Sequence, residues 1–207
     1  MNKEEYKFEA DYESISSLEL PQAKILANWC KSIINPKRAI DLGCGPGTYV
    51  HALRSLDVDA IGYELDPRAD DINHVIRKSL LDVKDHADLI YCIEVAEHIE
   101  SKYSQDIVNK IYETLEPGGT LIFSAANLGQ GGTDHINCRP IEYWIKKFTD
   151  RGMIHMKTLE DNLKETIVSI IPNDYMGWFI YNVIIMYKED FADNPSSAGS
   201  LIGPIQT

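Results

Sequence analysis

The stretch Ala39-Ile-Asp-Leu-Gly-Cys-Gly-Pro-Gly-Thr48 constrains the fold more than any other part of the chain. Ala39, Ile40 and Leu42 read as a short buried strand, and glycines follow at alternate positions, Gly43, Gly45 and Gly47. An amphipathic segment comes next, with Thr48 as its expected N-cap. A strand, a glycine turn and a helix N-terminus make a cradle for a nucleotide-like ligand, because a residue without Cβ lets the backbone turn sharply and approach closely. The spacing is G-x-G-x-G. It matches neither the G-x-G-x-x-G of dinucleotide enzymes nor the phosphate-binding G-x-x-x-x-G-K-[ST], and no lysine stands here to meet a β- or γ-phosphate.

Around this turn the hydrophobic pattern alternates between the two regular periods. Leu18, Leu26, Trp29 and Ile33 fall at helical spacing and predict a helix over 18–35, with Pro21 in its first turn and Asn35-Pro36 ending it. A strand over 38–42, a helix over 49–56 and a strand over 58–65 follow; Pro67 then begins an acidic loop or short helix. A short third strand at 75–76 and a strongly apolar fourth strand at 88–93 come next. Ser101 or Ser104 caps a helix that runs to Leu115, ahead of the turn Glu116-Pro-Gly-Gly119 and a fifth strand over 120–125. Beyond the glycine-rich loop 127–139 the pattern gives a helix from Pro140 to Thr149, a strand over 153–158, a helix over 161–170 and a last strand over 179–187. Tyr175, Trp178, Phe179 and Tyr181 read as packing around that last strand.

This alternation predicts an α/β fold, doubly wound around a mainly parallel sheet. The 207 residues suit one domain over 18–190, preceded by a polar arm (1–17) and followed by a Ser/Pro/Gly-rich tail (191–207) expected to be disordered. The net charge of −12 repels polyanions and disfavours a nucleic-acid partner. Cys30, Cys44, Cys92 and Cys138 form no C-x-x-C pair and read as reduced thiols. The charged N-terminus lacks the apolar core of a signal peptide, and the apolar stretch 177–187 is too short to span a bilayer. A cytoplasmic protein with no membrane partner is the expectation.

In a sheet of this kind, ligands sit beyond the carboxyl ends of the strands, at the topological switch point. Gly43, Glu64, Asp82, Glu94 and Asn127 all fall at such ends. Glu64 ends the second strand, about twenty residues past the glycine turn, where a carboxylate reaches ribose hydroxyls in nucleotide-binding α/β folds. Asp82 can accept from an adenine amino group while the backbone beside Leu81 addresses the ring; its other reading is a cap before Val83.

Asp41-Leu-Gly-Cys-Gly-Pro-Gly47, Glu64, Asp82, Glu94 and Leu115-Glu-Pro-Gly-Gly119 together resemble the class I S-adenosylmethionine-dependent methyltransferases, over roughly residues 20–187. The resemblance implies a Rossmann-like seven-stranded sheet whose last strand is antiparallel. It also implies that S-adenosylmethionine is held at its amino-acid end by Asp41 and the backbone of Gly43, Cys44, Gly45 and Gly47. Glu64 with Leu65 would take the ribose, Leu81 and Asp82 the adenine, and Glu94 would also contact the cofactor.

Glu94-Val-Ala-Glu97-His98 follows the fourth strand and places Glu94, Glu97 and His98 at i, i+3 and i+4, so that they can share one face. His135 lies in the glycine-rich loop after the fifth strand. Two carboxylates and two imidazoles make a mixed oxygen and nitrogen site for Mg²⁺ or Mn²⁺. This E-x-x-E-H…H pattern is similar to those of ubiquinone-pathway O-methyltransferases and of small-RNA 3′-terminal 2′-O-methyltransferases. Without a metal, Glu94 would contact the cofactor, Glu97 cap a helix and His98 pack structurally. His135 is the first candidate for a general base, with His98 and Glu94 completing the expected catalytic set. The loop from Gly129 into Glu142-Tyr-Trp144 also resembles bacterial and phage methyltransferases found among surface-glycan genes. That likeness, to enzymes of uncharacterised substrate, supports fold and cofactor and settles no acceptor; the expected one is a hydroxyl of a small molecule or glycan. An RNA 3′ end and a non-catalytic cofactor-binding module stand as alternatives.

Overall fold

A computed structural model describes residues 11–171 and 177–190. The elements run α1 (Tyr12–Ile33), β1 (Arg38–Leu42), α2 (Thr48–Arg54), β2 (Asp59–Glu64), β3 (Val75–Arg77), β4 (Ala87–Ile93) and α3 (Ser104–Thr114). They continue with β5 (Leu115–Ser124), α4 (Ile141–Asp150), β6 (Met153–His155), α5 (Lys157–Ile170), α6 (Gly177–Asn182) and β7 (Ile184–Lys188). The seven strands form one sheet in the order β3-β2-β1-β4-β5-β7-β6. The first five are parallel, and β7 runs antiparallel to both β5 and β6. The strand order therefore reverses between β1 and β4, which opens a crevice at their carboxyl ends.

The two faces of the sheet are read directly from the period of β4. Leu89, Tyr91 and Ile93 belong to the core shared with α1, α2 and α5, while Ile90 and Cys92 belong to the core under α3 and α4. On the second face Trp144 and Phe148, one helical turn apart, meet Phe123 with ring centroids 5.1 and 5.2 Å away. Each such buried side chain contributes roughly 1.5–3 kcal/mol. On the first face Trp29 of α1 donates its indole N–H to Asn162 Oδ1 of α5 at 2.8 Å, tying two helices that are far apart in sequence.

Several boundaries differ from the sequence expectations for identifiable reasons. α1 starts at Tyr12, so residues 12–17 of the expected arm are helical. Asp11 caps the helix, accepting from the Ser14 amide at 2.9 Å, and Pro21 lies inside the helix rather than in its first turn. Gly47 takes the cap position of α2, and Thr48 becomes its first residue. Tyr103 occupies the cap position of α3; Ser104 is inside that helix, with a buried hydroxyl, and Ser101 opens a separate 3₁₀ turn, Ser101–Tyr103. Residues 116–119 are part of a continuous β5, with an irregular register opposite Ala87 and Leu89. β6 is confined to Met153–His155, and α5 starts at Lys157, ahead of the expected 161.

The largest correction concerns the start of the last strand. Phe179 to Asn182 are helical, and β7 begins only at Ile184. Phe179 and Asn182, three residues apart, are both buried on one side of α6, whereas Tyr181 is 75% exposed and Trp178 faces the crevice. Of the four late aromatics only Phe179 packs in the core as expected; Tyr175 lies outside the described residues, as do residues 1–10 and the tail from 191. The four cysteines are all free thiols, with Cys30, Cys44 and Cys92 buried.

Candidate active site

A cavity of about 550 Å³ lies at the carboxyl ends of β1, β2 and β4, with α1 along one side. Of the ten residues expected to contact the cofactor, all but Gly47 line it. Gly47 stands behind the turn, where it caps α2 with a left-handed backbone, φ +75°. Gly43 is the tightest of the three glycines of the turn: its φ is +80°, and a Cβ would lie 2.7 Å from Val95 Cγ2. The amides of Gly43 and Cys44 both donate to the Tyr63 carbonyl, at 2.7 and 3.2 Å, which anchors the turn on β2. Gly62, which the motif reading passed over, makes room for that anchor, since a Cβ there would sit 2.4 Å from Cys44 Sγ.

Glu64 is held by backbone. Its Oε2 accepts from the Gly45 amide at 2.9 Å, and its Oε1 accepts from the Leu65 and Asp66 amides at 2.7 and 2.9 Å. These bonds fix the carboxylate at the end of β2 and leave it acceptor capacity toward the cavity. Asp66 binds Arg68, whose guanidinium stacks 3.7 Å over the Tyr12 ring and draws the first turn of α1 over the same end. Asp82 is exposed at the cavity edge in the 3₁₀ turn Leu80–Asp82, where Ser79 accepts from the Leu81 amide at 3.3 Å.

The second group of candidate residues forms around the 3₁₀ turn Ala96–His98. Glu94 has φ +51°, a left-handed conformation costing on the order of 1–3 kcal/mol in a residue with a side chain. The conformation is held by its amide, which donates to Ser124 O at 3.0 Å and to Ser124 Oγ at 3.2 Å. Glu97 is fully buried, and its Oε1 accepts from the Ala126 amide at 3.0 Å. Its backbone carbonyl accepts from the Ile136 and Asn137 amides, both at 2.9 Å, so the loop after β5 folds back onto this turn. Asn137, 2% exposed, completes the anchor by donating to Ala96 O and Ser104 Oγ.

That anchor sets His135 edge-on against His98, with ring centroids 4.9 Å apart. Donor atoms of Glu97, His98 and His135 all lie within 4.8 Å of one another. Glu94 falls outside this group and pairs with Glu97, so the expected set of four is a set of three with a carboxyl behind it. The left-handed turn at Glu94 is the reason: it breaks the helical spacing that the sequence suggests. Burial, and then the charge of Glu94, push the Glu97 carboxyl well up; burial raises Glu94 as well. Burial followed by the neighbouring His135 lowers His98, which is therefore neutral near pH 7. His98 lines the cavity, whereas His135 backs it from the loop side.

Asn182 of α6 links the two halves of the region, donating to Glu94 Oε1 at 3.4 Å and to Gln130 Oε1 at 2.8 Å. Its role carries no signal in the sequence, since residue 182 sits in an apolar run that reads as strand.

A doubly wound sheet with an antiparallel seventh strand, a glycine turn at the switch point and an acid ending β2 is the architecture of class I S-adenosylmethionine-dependent methyltransferases. A family model described as a methyltransferase domain matches residues 17–165, and the chain belongs to that family. The structure is similar to an O-methyltransferase family protein from Burkholderia thailandensis (TM-score 0.63, 14% identity, covering 87% of this chain and 59% of that one). It is also similar to the O-methyltransferase of a trans-AT polyketide synthase multienzyme from Brevibacillus brevis, solved with S-adenosyl-L-homocysteine (TM-score 0.55, 15% identity, 86% and 75%). A third similar structure is an S-adenosylmethionine-dependent methyltransferase from Archaeoglobus fulgidus (TM-score 0.58, 11% identity, 86% and 100%). The chain thus spans about three fifths of the first of these, and at such identities the likeness is one of fold. No curated protein sequence gives a significant match. Among the described residues no helix is long and apolar enough to cross a membrane.

Proposed function

We propose that this domain methylates a hydroxyl of a small-molecule or glycan acceptor. The observation that carries the reading is the cluster of Glu97, His98 and His135 at the end of the cofactor cavity, with the neutral His98 facing in. When bound, S-adenosylmethionine supplies an electrophilic methyl sulfonium. Glu64 is set to accept from its ribose hydroxyls, Asp82 from its adenine, and Asp41 from its ammonium. Positioning an acceptor oxygen in line with that methyl supplies much of the rate. His98 takes the acceptor's proton at a ring nitrogen, and His135 fixes the orientation of that ring from behind. The base role passes from His135, the first candidate by sequence, to His98, because His98 is the imidazole that lines the cavity.

The same three side chains fit a divalent cation. One carboxyl and two imidazoles suit Mn²⁺ better than Mg²⁺, which favours oxygen ligands. His135 Nδ1 is buried with no hydrogen-bond partner among the described residues. Glu97, His98 and His135 would hold the ion, with Glu94 behind Glu97. An ion held there would lower the pKa of a bound acceptor hydroxyl. The net charge of −12 weighs against an RNA acceptor.

The test is release of S-adenosylhomocysteine with a panel of catechols, phenols and sugars, with and without EDTA. A metal-assisted reaction stops in chelator and returns with Mn²⁺. Turnover unchanged by chelator leaves His98 acting as base without metal, and no turnover with any hydroxyl acceptor contradicts O-methylation.

A further inference from the structure

We propose that α1 completes the amino-acid subsite of the cofactor: Glu19 and Gln22, together with Asp41 and Tyr49, bind the two charged ends of the methionine moiety. The inference rests on S-adenosylmethionine as the ligand of this cavity. It assigns a task to four side chains, three of which lie outside every motif of the sequence.

Asp41 Oδ2, Glu19 Oε2, Gln22 Nε2 and Tyr49 Oη are each shielded from solvent and have no hydrogen-bond partner among the described residues. All four side chains line the one cavity. Asp41, Gln22 and Tyr49 are 3%, 1% and 3% exposed, so no surface water explains them. A single buried polar group left unpaired costs about 1–3 kcal/mol, and four along one wall mark a place where a ligand supplies the partners.

The chemistry of the four defines that ligand. Two are carboxyl groups that accept, and two are neutral donors, an amide N–H and a phenol O–H. An α-amino acid zwitterion is the complement, with its ammonium toward Asp41 and Glu19 and its carboxylate toward Gln22 and Tyr49. No Lys or Arg is among the four; Lys78, which also lines the cavity, follows β3 on the far side of Glu64.

The geometry of α1 makes the pairing possible. Glu19 and Gln22 are three residues apart and share a helix face. That face is held against α2, where Thr48 hydrogen-bonds Glu19 and its hydroxyl lies 3.2 Å from Ser16 Oγ. Burial raises the Glu19 carboxyl to about 7, against the lowering effect of Thr48. Asp41 is raised by burial, then by Glu19 and Glu64, and Tyr49 by burial, then by Glu19, Asp41 and Glu94. An ammonium placed among these acids offsets the repulsion between Glu19 and Asp41.

Calorimetric titration tests the clamp with three ligands: S-adenosylhomocysteine, its decarboxylated analogue, and 5′-methylthioadenosine, which has no amino-acid portion. Glu19→Gln is expected to weaken S-adenosylhomocysteine at least tenfold at pH 8, and Gln22→Leu at least fivefold. Both variants should bind 5′-methylthioadenosine within twofold of the native protein. The decarboxylated analogue separates the two ends, losing affinity with Glu19→Gln but not with Gln22→Leu. The proposal is overturned if both variants, with native melting curves, bind S-adenosylhomocysteine normally or lose all three ligands alike. If the native protein binds none of the ligands, the cofactor reading itself fails, an outcome distinct from failure of the clamp.

Discussion

Gly43 shows how narrowly single residues define this site. Its left-handed backbone and the 2.7 Å approach of Val95 leave no place for a methyl group, and Val95 is stiff because it is β-branched. Gly43→Ala should lower the melting temperature, at a cost of about 1–3 kcal/mol, and weaken S-adenosylhomocysteine at least tenfold. Native affinity in that variant would show that the turn yields. Glu19 leads to a pH prediction. Its carboxyl, raised to about 7, faces Asp41 on β1, Thr48 and Tyr49 on α2, and beyond them Glu64 and Glu94. An ammonium ligand binds the ionised form, so affinity for S-adenosylhomocysteine should be level above pH 7 and fall by up to about tenfold per unit below it. Without ligand the sign is opposite. A carboxyl with a raised folded-state pKa stabilises the fold at low pH, and that contribution is lost between about 4.5 and 7 as pH rises. Glu19→Gln should flatten both profiles; profiles identical to the native ones would remove Glu19 from the account. Such residues were not legible in the sequence. Glu19 and Gln22 look like ordinary polar positions of a helix, and only the packing of α1 on α2 shows that they face inward. Asp41, Gly43 and Glu64 were legible because local motif and strand position point the same way.

At the scale of elements, the loop after β5 is the part whose behaviour departs most from its composition. Its glycines suggest a moving lid. Its second half is instead pinned, through Asn137, to Ala96 and Ser104, and through two amides to the carbonyl of Glu97. Asn137→Ala should cost about 1–2 kcal/mol, since it removes two buried hydrogen bonds, to Ala96 O and Ser104 Oγ. It should also speed proteolytic cleavage within 127–135 and reduce turnover by freeing His135. Cleavage and turnover unchanged from the native protein would show that the loop holds its place without that amide. α6 is the complementary case. Residues 177–187 form one apolar run, and such a run does not distinguish a strand from a short helix followed by a strand. The strands β1, β2 and β4 were legible for the opposite reason, being bounded by glycine, proline or charge at both ends. The positions of Glu94, Glu97 and His98 could be read as chemistry but not as geometry, because the left-handed turn at Glu94 has no sequence signature.

For the whole molecule, the reversal of strand order between β1 and β4 decides where everything else gathers. It brings the ends of three strands and the first half of α1 around one crevice. The cofactor half of that crevice is acidic, with Asp41, Glu19, Glu64 and Asp82. Beyond the end of β4 the lining is His98 with Val95, Ile99 and Tyr103, and α6 adds Trp178. An acceptor with an apolar body and a hydroxyl suits that end, and a polyanion approaching a surface of charge −12 does not. With S-adenosylmethionine bound as proposed, one cavity would place the methyl sulfonium in front of His98. The most direct test is a crystal structure of the protein with S-adenosylhomocysteine. The account predicts the ribose on Glu64, the amino-acid end between Asp41 and α1, and the sulfur turned toward His98 with no side chain between them. A ligand lying elsewhere, or a sulfur turned away from His98, would contradict it.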